Sequence, residues 1–211
     1  VTAPDQIDLF GAAGPPEPVV AGFDYWAEVL STCEQAALVG ALQTLTFKPY
    51  EHRGYLGHRR IAAFERGDGA AGWPVVLSDL VARLASGLAF DPAAFVQVLV
   101  NEYAPGAGIG WHRDRPQYGD ILGVSLLAPC VMRLRRRDGG RFERRRAPLS
   151  CGSVYRLSGE ARAAWEHSIT PLTALRYSVT FRTLARSTLR SRFAGPADPR
   201  IGPLRSIQTG A

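Results

Sequence analysis

The second half of the chain breaks into short strand-like segments at close spacing, and this limits the fold more than any other feature. Segments 94–103, 121–127, 131–137, 141–147, 153–157 and 176–184 each read as a strand, with turn residues between them. Asp138-Gly139-Gly140 joins two of them as a hairpin, because tight hairpin turns need residues that accept positive φ. Many short strands in succession close into a sandwich or barrel. Helical patterns come before them. Ser31-Thr32-Cys33-Glu34 is a capping box ahead of Leu38, Ala41 and Leu42 at helical spacing. Pro74 suits the first turn of a second helix whose apolar stripe is Leu77, Leu80, Val81 and Leu84, with Gly87 as its stop. Residues 44–50 read as a strand, 51–54 as a turn, and 55–64 as another strand or an extended loop.

With 211 residues, 46% of them hydrophobic, the chain has enough apolar material for one core. We expect an irregular lead-in over 1–23, one domain over 24–186 and a flexible tail over 187–211. No apolar run is long enough to span a bilayer, and no basic segment leads into an apolar stretch as in a secretory signal. Cys33, Cys130 and Cys151 make neither a disulfide framework nor a zinc pair, so they read as reduced, partly buried thiols of a cytoplasmic protein. The net charge of +6 is uneven, with eight arginines between Arg133 and Arg146. Such a run suits either a polyanion or a solvated hairpin surface.

Trp111-His112-Arg113-Asp114 places an imidazole and a carboxylate two residues apart, on one side of an extended chain. A second imidazole follows in Trp165-Glu166-His167-Ser168. Two His and one carboxylate can cap one triangular face of an octahedral ion and leave three positions open, as non-heme Fe(II) chemistry needs. Taken singly, His112 and Asp114 would be a hydrogen-bonded surface turn and His167 a structural histidine. Gly106, Gly108 and Gly110 precede the motif and give a loop of small residues that can come close to a ligand. His52 and His58 have no carboxylate at ligand spacing and are given no metal role.

Arg176 and Arg182 share one face of a strand with Ser178 and Thr180, while Tyr177, Val179 and Phe181 face a core. Inward arginines need anions, either a bound dicarboxylate or the protein's own Asp and Glu. Six residues of strand cover about 20 Å, too far for both to grip one small molecule head-on. Asn101 and Tyr103 also share a face and carry donors suited to a carboxylate.

In this order, Asn101-x-Tyr103, His112-x-Asp114, His167 and Arg176-x5-Arg182 resemble the AlkB family of Fe(II)/2-oxoglutarate dioxygenases over residues 95–185. The resemblance implies a mainly β fold with N-terminal helices: a double-stranded β-helix (jelly roll) over 94–185, preceded by a nucleotide-recognition lid over 44–66. It implies that His112, Asp114 and His167 hold Fe(II). Arg176, helped by Tyr103, would take the C5 carboxylate of 2-oxoglutarate. Arg182, with Asn101, would lie near its C1 end, leaving one metal position for O2. The implied reaction removes N-alkyl groups from bases as formaldehyde, with succinate and CO2 as co-products, in DNA repair or RNA demethylation.

Substrate contacts are less specified. Phe47, Tyr50, Tyr55, Arg59 and Arg60 mix aromatics with cations in the lid segment, and Arg135 and Arg145 extend a basic surface along the hairpin. The expected partner is single-stranded nucleic acid or a flipped base, met by a monomer with no membrane contact. Two other readings compete: an Fe(II)/2-oxoglutarate hydroxylase or demethylase acting on a protein or small molecule, and an RNA-binding module with a vestigial metal pocket.

Overall fold

The computed structural model describes residues 19–52, 55–66 and 72–185. The capping box forms as the sequence requires. Ser31 Oγ accepts from the Glu34 amide, the Glu34 carboxylate accepts from the Ser31 amide at 2.8 Å, and helix α1 (Thr32–Leu42) follows. The strand expected over 44–50 starts later. The amides of Gln43, Thr44 and Leu45 donate back to Val39, Ala41 and Leu42 carbonyls and complete the helix end, so β2 covers Lys48–His52. Its partner β3 (Tyr55–Glu65) leads to helix α2 (Val75–Leu88). Gly87 does not stop α2. Leu88 and Phe90 pack against the core and draw the helix on to Ala89, which takes the left-handed cap at φ 55°.

The strands form two antiparallel sheets. β4 (Phe95–Tyr103), β6 (Tyr118–Leu126), β9 (Val154–Leu157) and β11 (Arg176–Leu184) join β2, β3 and β1 (Phe23–Trp26) in a seven-stranded sheet ordered β1-β9-β6-β11-β4-β3-β2. β5 (Ile109–His112), β7 (Cys130–Asp138), β8 (Arg141–Leu149) and β10 (Glu166–Ile169) form a four-stranded sheet ordered β5-β10-β7-β8. Two facing sheets with helices outside one of them are the jelly roll expected from the sequence. The stretch expected to be a lid does not stand apart from it: β2 and β3 extend the edge of the large sheet beyond β4.

Alternation along the strands divides the apolar residues between two cores. Leu122, Val124, Leu126, Tyr177, Val179 and Phe181 meet Leu38, Leu42, Leu77 and Leu84 of the helices. Ile121, Tyr155 and Leu157 meet Met132, Leu134, Leu149, Trp165 and Ile169 between the sheets. Val20 and Phe23 belong to that second core, so the end of the supposed lead-in is structural. The three unanticipated strands, β1, β5 and β10, have four residues each, too few for alternation to stand out. The short helix α3 (Gly159–Ala163) lies between the strands expected at 153–157 and 176–184. The three cysteines are free, but Cys33 is exposed rather than partly buried. No helix among the described residues is long and apolar enough to cross a membrane. Residues 1–18 of the lead-in and the tail from 186 lie outside the described residues.

Candidate metal and cosubstrate site

β5 and β10 pair with His112 opposite His167, which puts both imidazoles on the inner side of the small sheet with ring centroids 4.2 Å apart. Asp114 lies just beyond β5, and its Oδ2 is 3.6 Å from His167 Nε2. One ligand atom from each of the three falls within 4.8 Å of the others. Ligands on adjacent octahedral positions of an ion lie about 3 Å apart, so small side-chain rotations let the three share one.

Neighbouring groups fix which atoms are free. His112 Nδ1 is 2.9 Å from the Gly110 carbonyl, which can only accept, so the proton sits on Nδ1 and Nε2 keeps its lone pair. Arg182 donates twice to Asp114 Oδ1, from Nε at 2.9 Å and Nη2 at 2.7 Å, and leaves Oδ2 for an ion. Burial alone would raise the Asp114 pKa, but Arg182 and then His167 outweigh it and hold the carboxyl below its usual range. Burial, reinforced by His112, pushes His167 down to about 3, and burial also lowers His112. Both imidazoles are therefore neutral near pH 7, the form that binds a metal.

Arg176 lies further along the same inner face of β11 and is 1% exposed. Its Nη2 donates to Ser125 Oγ at 3.1 Å, whereas Nε and Nη1 are buried with no hydrogen-bond partner among the described residues. Tyr103 faces it across the β4–β11 pair, with the guanidinium 5.4 Å from the ring centroid. Burial raises the pKa values of both Tyr103 and Tyr155, so both phenols stay protonated. A buried guanidinium with two unmet donor nitrogens is very costly unless an anion accepts from them. The donor set beside the triad thus fits a carboxylate end of 2-oxoglutarate.

The separation of the two arginines is resolved by dividing their partners. Arg176 keeps two donor nitrogens without partners among the described residues, while Arg182 takes the protein's own Asp114 and also donates to Gln97 Oε1 at 3.1 Å. Asn101 lies on the same inner face, but its Oδ1 accepts from Arg59 Nε at 3.1 Å. Gly108 comes close to another part of the protein rather than a ligand. A Cβ there would lie 2.7 Å from the Ile169 carbonyl, so the glycine seats the loop against the end of β10.

The lid residues need correction. Arg59 pairs opposite Tyr103, is buried, and lies with its guanidinium 3.7 Å from the Tyr50 ring centroid, so it is not a surface phosphate contact. Phe47 and Arg60 lie on the other face of the large sheet. Phe47 packs on Tyr177 of the helix-side core, and Arg60 forms a two-bond ion pair with Glu102 at 2.7 and 2.9 Å. Strand alternation carries them away from the triad. The side chain of Tyr55 lies outside the described residues.

One functional residue escaped the sequence reading altogether. Arg162 of α3 donates from Nη2 to the carbonyls of Asp114, Arg115 and Tyr118 at 3.2, 2.6 and 3.0 Å, and from Nε to Gly119 O at 3.1 Å. Arg113 returns a bond to Ala163 O at 3.0 Å. These contacts tie the loop bearing Asp114 to the segment that delivers His167. The only signal in the sequence is an arginine five residues before His167.

Comparison with known proteins agrees with this geometry. The family model for the 2OG-Fe(II) oxygenase superfamily matches residues 32–182. The chain belongs to that superfamily, and among the relatives it is similar to are AlkB proteins. The alpha-ketoglutarate-dependent dioxygenase AlkB of Salmonella typhimurium is 36% identical over 119 residues, 49% of this chain and 51% of that protein. AlkB of Escherichia coli is 29% identical over 150 residues, 62% of this chain and 67% of that protein. The chain thus spans about half to two thirds of the length of the curated relatives it matches. The structure of OsALKBH1 shares the fold with a TM-score of 0.58 at 18% identity, over 77% of this chain and 98% of that one. The cofactors that go with the superfamily are Fe(II), 2-oxoglutarate and O2.

Proposed function

We propose that this protein is an Fe(II)/2-oxoglutarate-dependent oxidative demethylase of N-methylated bases in nucleic acid. The observation that carries the cosubstrate is the pair of unmet donors on buried Arg176 beside the His112–Asp114–His167 cluster. The nucleic-acid substrate rests on the AlkB relatives and on the net charge of +6.

When bound, Fe(II), 2-oxoglutarate and O2 supply hydroxylation of the N-methyl carbon, which then leaves as formaldehyde. The protein's own part is positioning. His112 Nε2, Asp114 Oδ2 and His167 Nε2 offer neutral or anionic donors on one side of an ion. Arg182 and Gly110 O hold two of these three side chains in orientation. Arg176, with Tyr103 alongside, anchors a carboxylate at the far end of the pocket.

A second reading, action on a protein or small molecule, is favoured by the internal commitments of Phe47 and Arg60, which leave fewer lid groups for a base. Formaldehyde and succinate release separates the two. The test supplies iron and 2-oxoglutarate and compares methylated DNA and RNA oligomers, unmodified oligomers and no prime substrate. Formaldehyde release only with methylated strands supports demethylation. Equal succinate in every arm would falsify it.

A further inference from the structure

The small sheet has two unlike faces. Its inner face carries His112, His167, Leu134, Met132 and Ala147. Its outer face carries the opposite parity of the same strands: Trp111 on β5, Glu166 on β10, Arg133, Arg135 and Arg137 on β7, and Phe142, Arg144 and Arg146 on β8. The guanidinium groups of Arg133 and Arg135 lie 5.0 and 4.4 Å from the Trp111 ring centroid. Those of Arg135, Arg137 and Arg144 lie 4.5, 5.1 and 5.7 Å from that of Phe142. Two rings thus organise a layer of cations across four strands.

The charge on this face is not cancelled. Among the described residues, Arg135 is the only one of the five paired with a carboxylate, Glu166 at 2.6 Å. Arg133 donates to Ser168 Oγ, and none of Arg133, Arg137, Arg144 and Arg146 forms an ion pair among the described residues. Arg137, Arg144 and Arg146 are exposed. Arg136 and Arg145, by contrast, belong to the opposite parity and are tied to Glu143. Seven of the hairpin's eight arginines therefore divide by strand alternation into a pair held by Glu143 and a cationic outer row of five.

We infer that the outer face of the small sheet, centred on Arg137, Arg144 and Arg146, docks the sugar–phosphate backbone of single-stranded nucleic acid. From the Arg133–Arg146 row to Arg137 is roughly 13 Å of strand, too long for one carboxylate or phosphate but matched to a chain of repeated negative charges. Guanidinium groups supported on rings lose less freedom when they meet phosphate. Trp111 on this face is the chain neighbour of His112 on the other, so the row starts one strand thickness from the candidate metal ligands. The inference rests on the nucleic-acid reading for its partner but not on demethylation.

The test is fluorescence anisotropy of unmodified oligo-dT and oligo-rU with the full chain, across a range of salt. For wild type, log K should fall linearly with log salt. The triple variant Arg137→Gln, Arg144→Gln, Arg146→Gln should bind at least tenfold more weakly at low salt, with a slope smaller by about 2. The corresponding Arg→Lys triple should keep the slope, and Arg136→Gln with Arg145→Gln should leave it nearly unchanged. Circular dichroism checks that each variant is folded. A Gln triple that binds with the wild-type slope overturns the inference. So does wild-type binding to phosphatidylserine vesicles or an acidic peptide in place of the oligomers. Strand binding through this face, with no formaldehyde from methylated strands, leaves the docking surface standing and removes the demethylase reading.

Discussion

Arg176 and Arg182 leave the same face of β11 and are both buried, yet their surroundings are opposite. Arg182 has its donors taken by Asp114 and Gln97, while Arg176 keeps Nε and Nη1 without partners. The first arginine holds a candidate metal ligand and completes the protein. The second has donors that no described residue meets. Their difference separates two costs that sequence alone merges: a satisfied ion pair loses stability when either member is removed, whereas a buried cation with unmet donors is itself a burden.

The largest effects should come from the metal cluster. His112→Ala should lower succinate release by at least ~100-fold, as loss of a metal ligand and not only of its supports. Asp114→Ala should be equally inactive and also less stable by about 3 kcal/mol, because Arg182 is left as a buried, unpaired cation. Equal melting temperatures for His112→Ala and Asp114→Ala would show that the Arg182 pair is not what holds this end of β11.

Next come the arginines themselves. Arg176→Ala should raise the KM for 2-oxoglutarate by about tenfold or more, since a charge-assisted contact is worth about 1.5–3 kcal/mol. The same change should not destabilise the protein measured without 2-oxoglutarate. Arg182→Ala should do the reverse, lowering stability and metal affinity with less effect on the 2-oxoglutarate requirement. Titration of Mn(II) and of 2-oxoglutarate into each variant reads both. If the two variants shift the same constant, the division of labour is mistaken.

Arg162→Ala should weaken metal affinity by about 10-fold, through disorder of the Asp114 loop. Arg162→Lys should restore little of it, because one ammonium cannot span four carbonyls from two nitrogens. A Co(II) absorption titration reports this independently of turnover.

These contrasts also show what could be read from the chain. Period-two alternation placed Arg176 and Arg182 inward and Tyr177, Val179 and Phe181 in the core, because a nine-residue strand gives alternation room to declare itself. His112 and Asp114 were legible for the same local reason. The partition of partners was not. That Arg182 meets Asp114, and that Arg60 meets Glu102 on the far side of the sheet, depends on registers set across sequence separations of 68 and 42 residues. Phe47 and Arg60 looked like lid residues because aromatic and cation were adjacent in sequence. Which sheet face Arg60 occupies is fixed by the pairing of β3 with β4, and Phe47 is placed by its packing on Tyr177. Arg162 gave no pattern, since its partners are backbone carbonyls, which no side-chain motif reveals.

The smallest effect concerns acid. His167 is held near 3 by burial and by His112, well below the 6.5 of a free imidazole. The unfolded chain therefore takes up a proton, as pH falls below about 6.5, that the folded chain refuses. Its contribution to stability is full above that value and is lost progressively as the pH drops towards 3. Metal-free protein should accordingly melt at a lower temperature at pH 5 than at pH 7.5, and His167→Gln should flatten much of that difference. Adding Mn(II) should enlarge it, because the bound ion also excludes the proton. The test bears on the opening contrast too: Asp114 is held low chiefly by Arg182 against its burial, so in Arg182→Ala the folded carboxyl should take up a proton more readily and offset part of the acid-induced loss of stability, an effect absent from Arg176→Ala. Melting curves for the two variants that coincide from pH 7.5 to pH 5 would mean that Arg182 is not what keeps that carboxylate ionised.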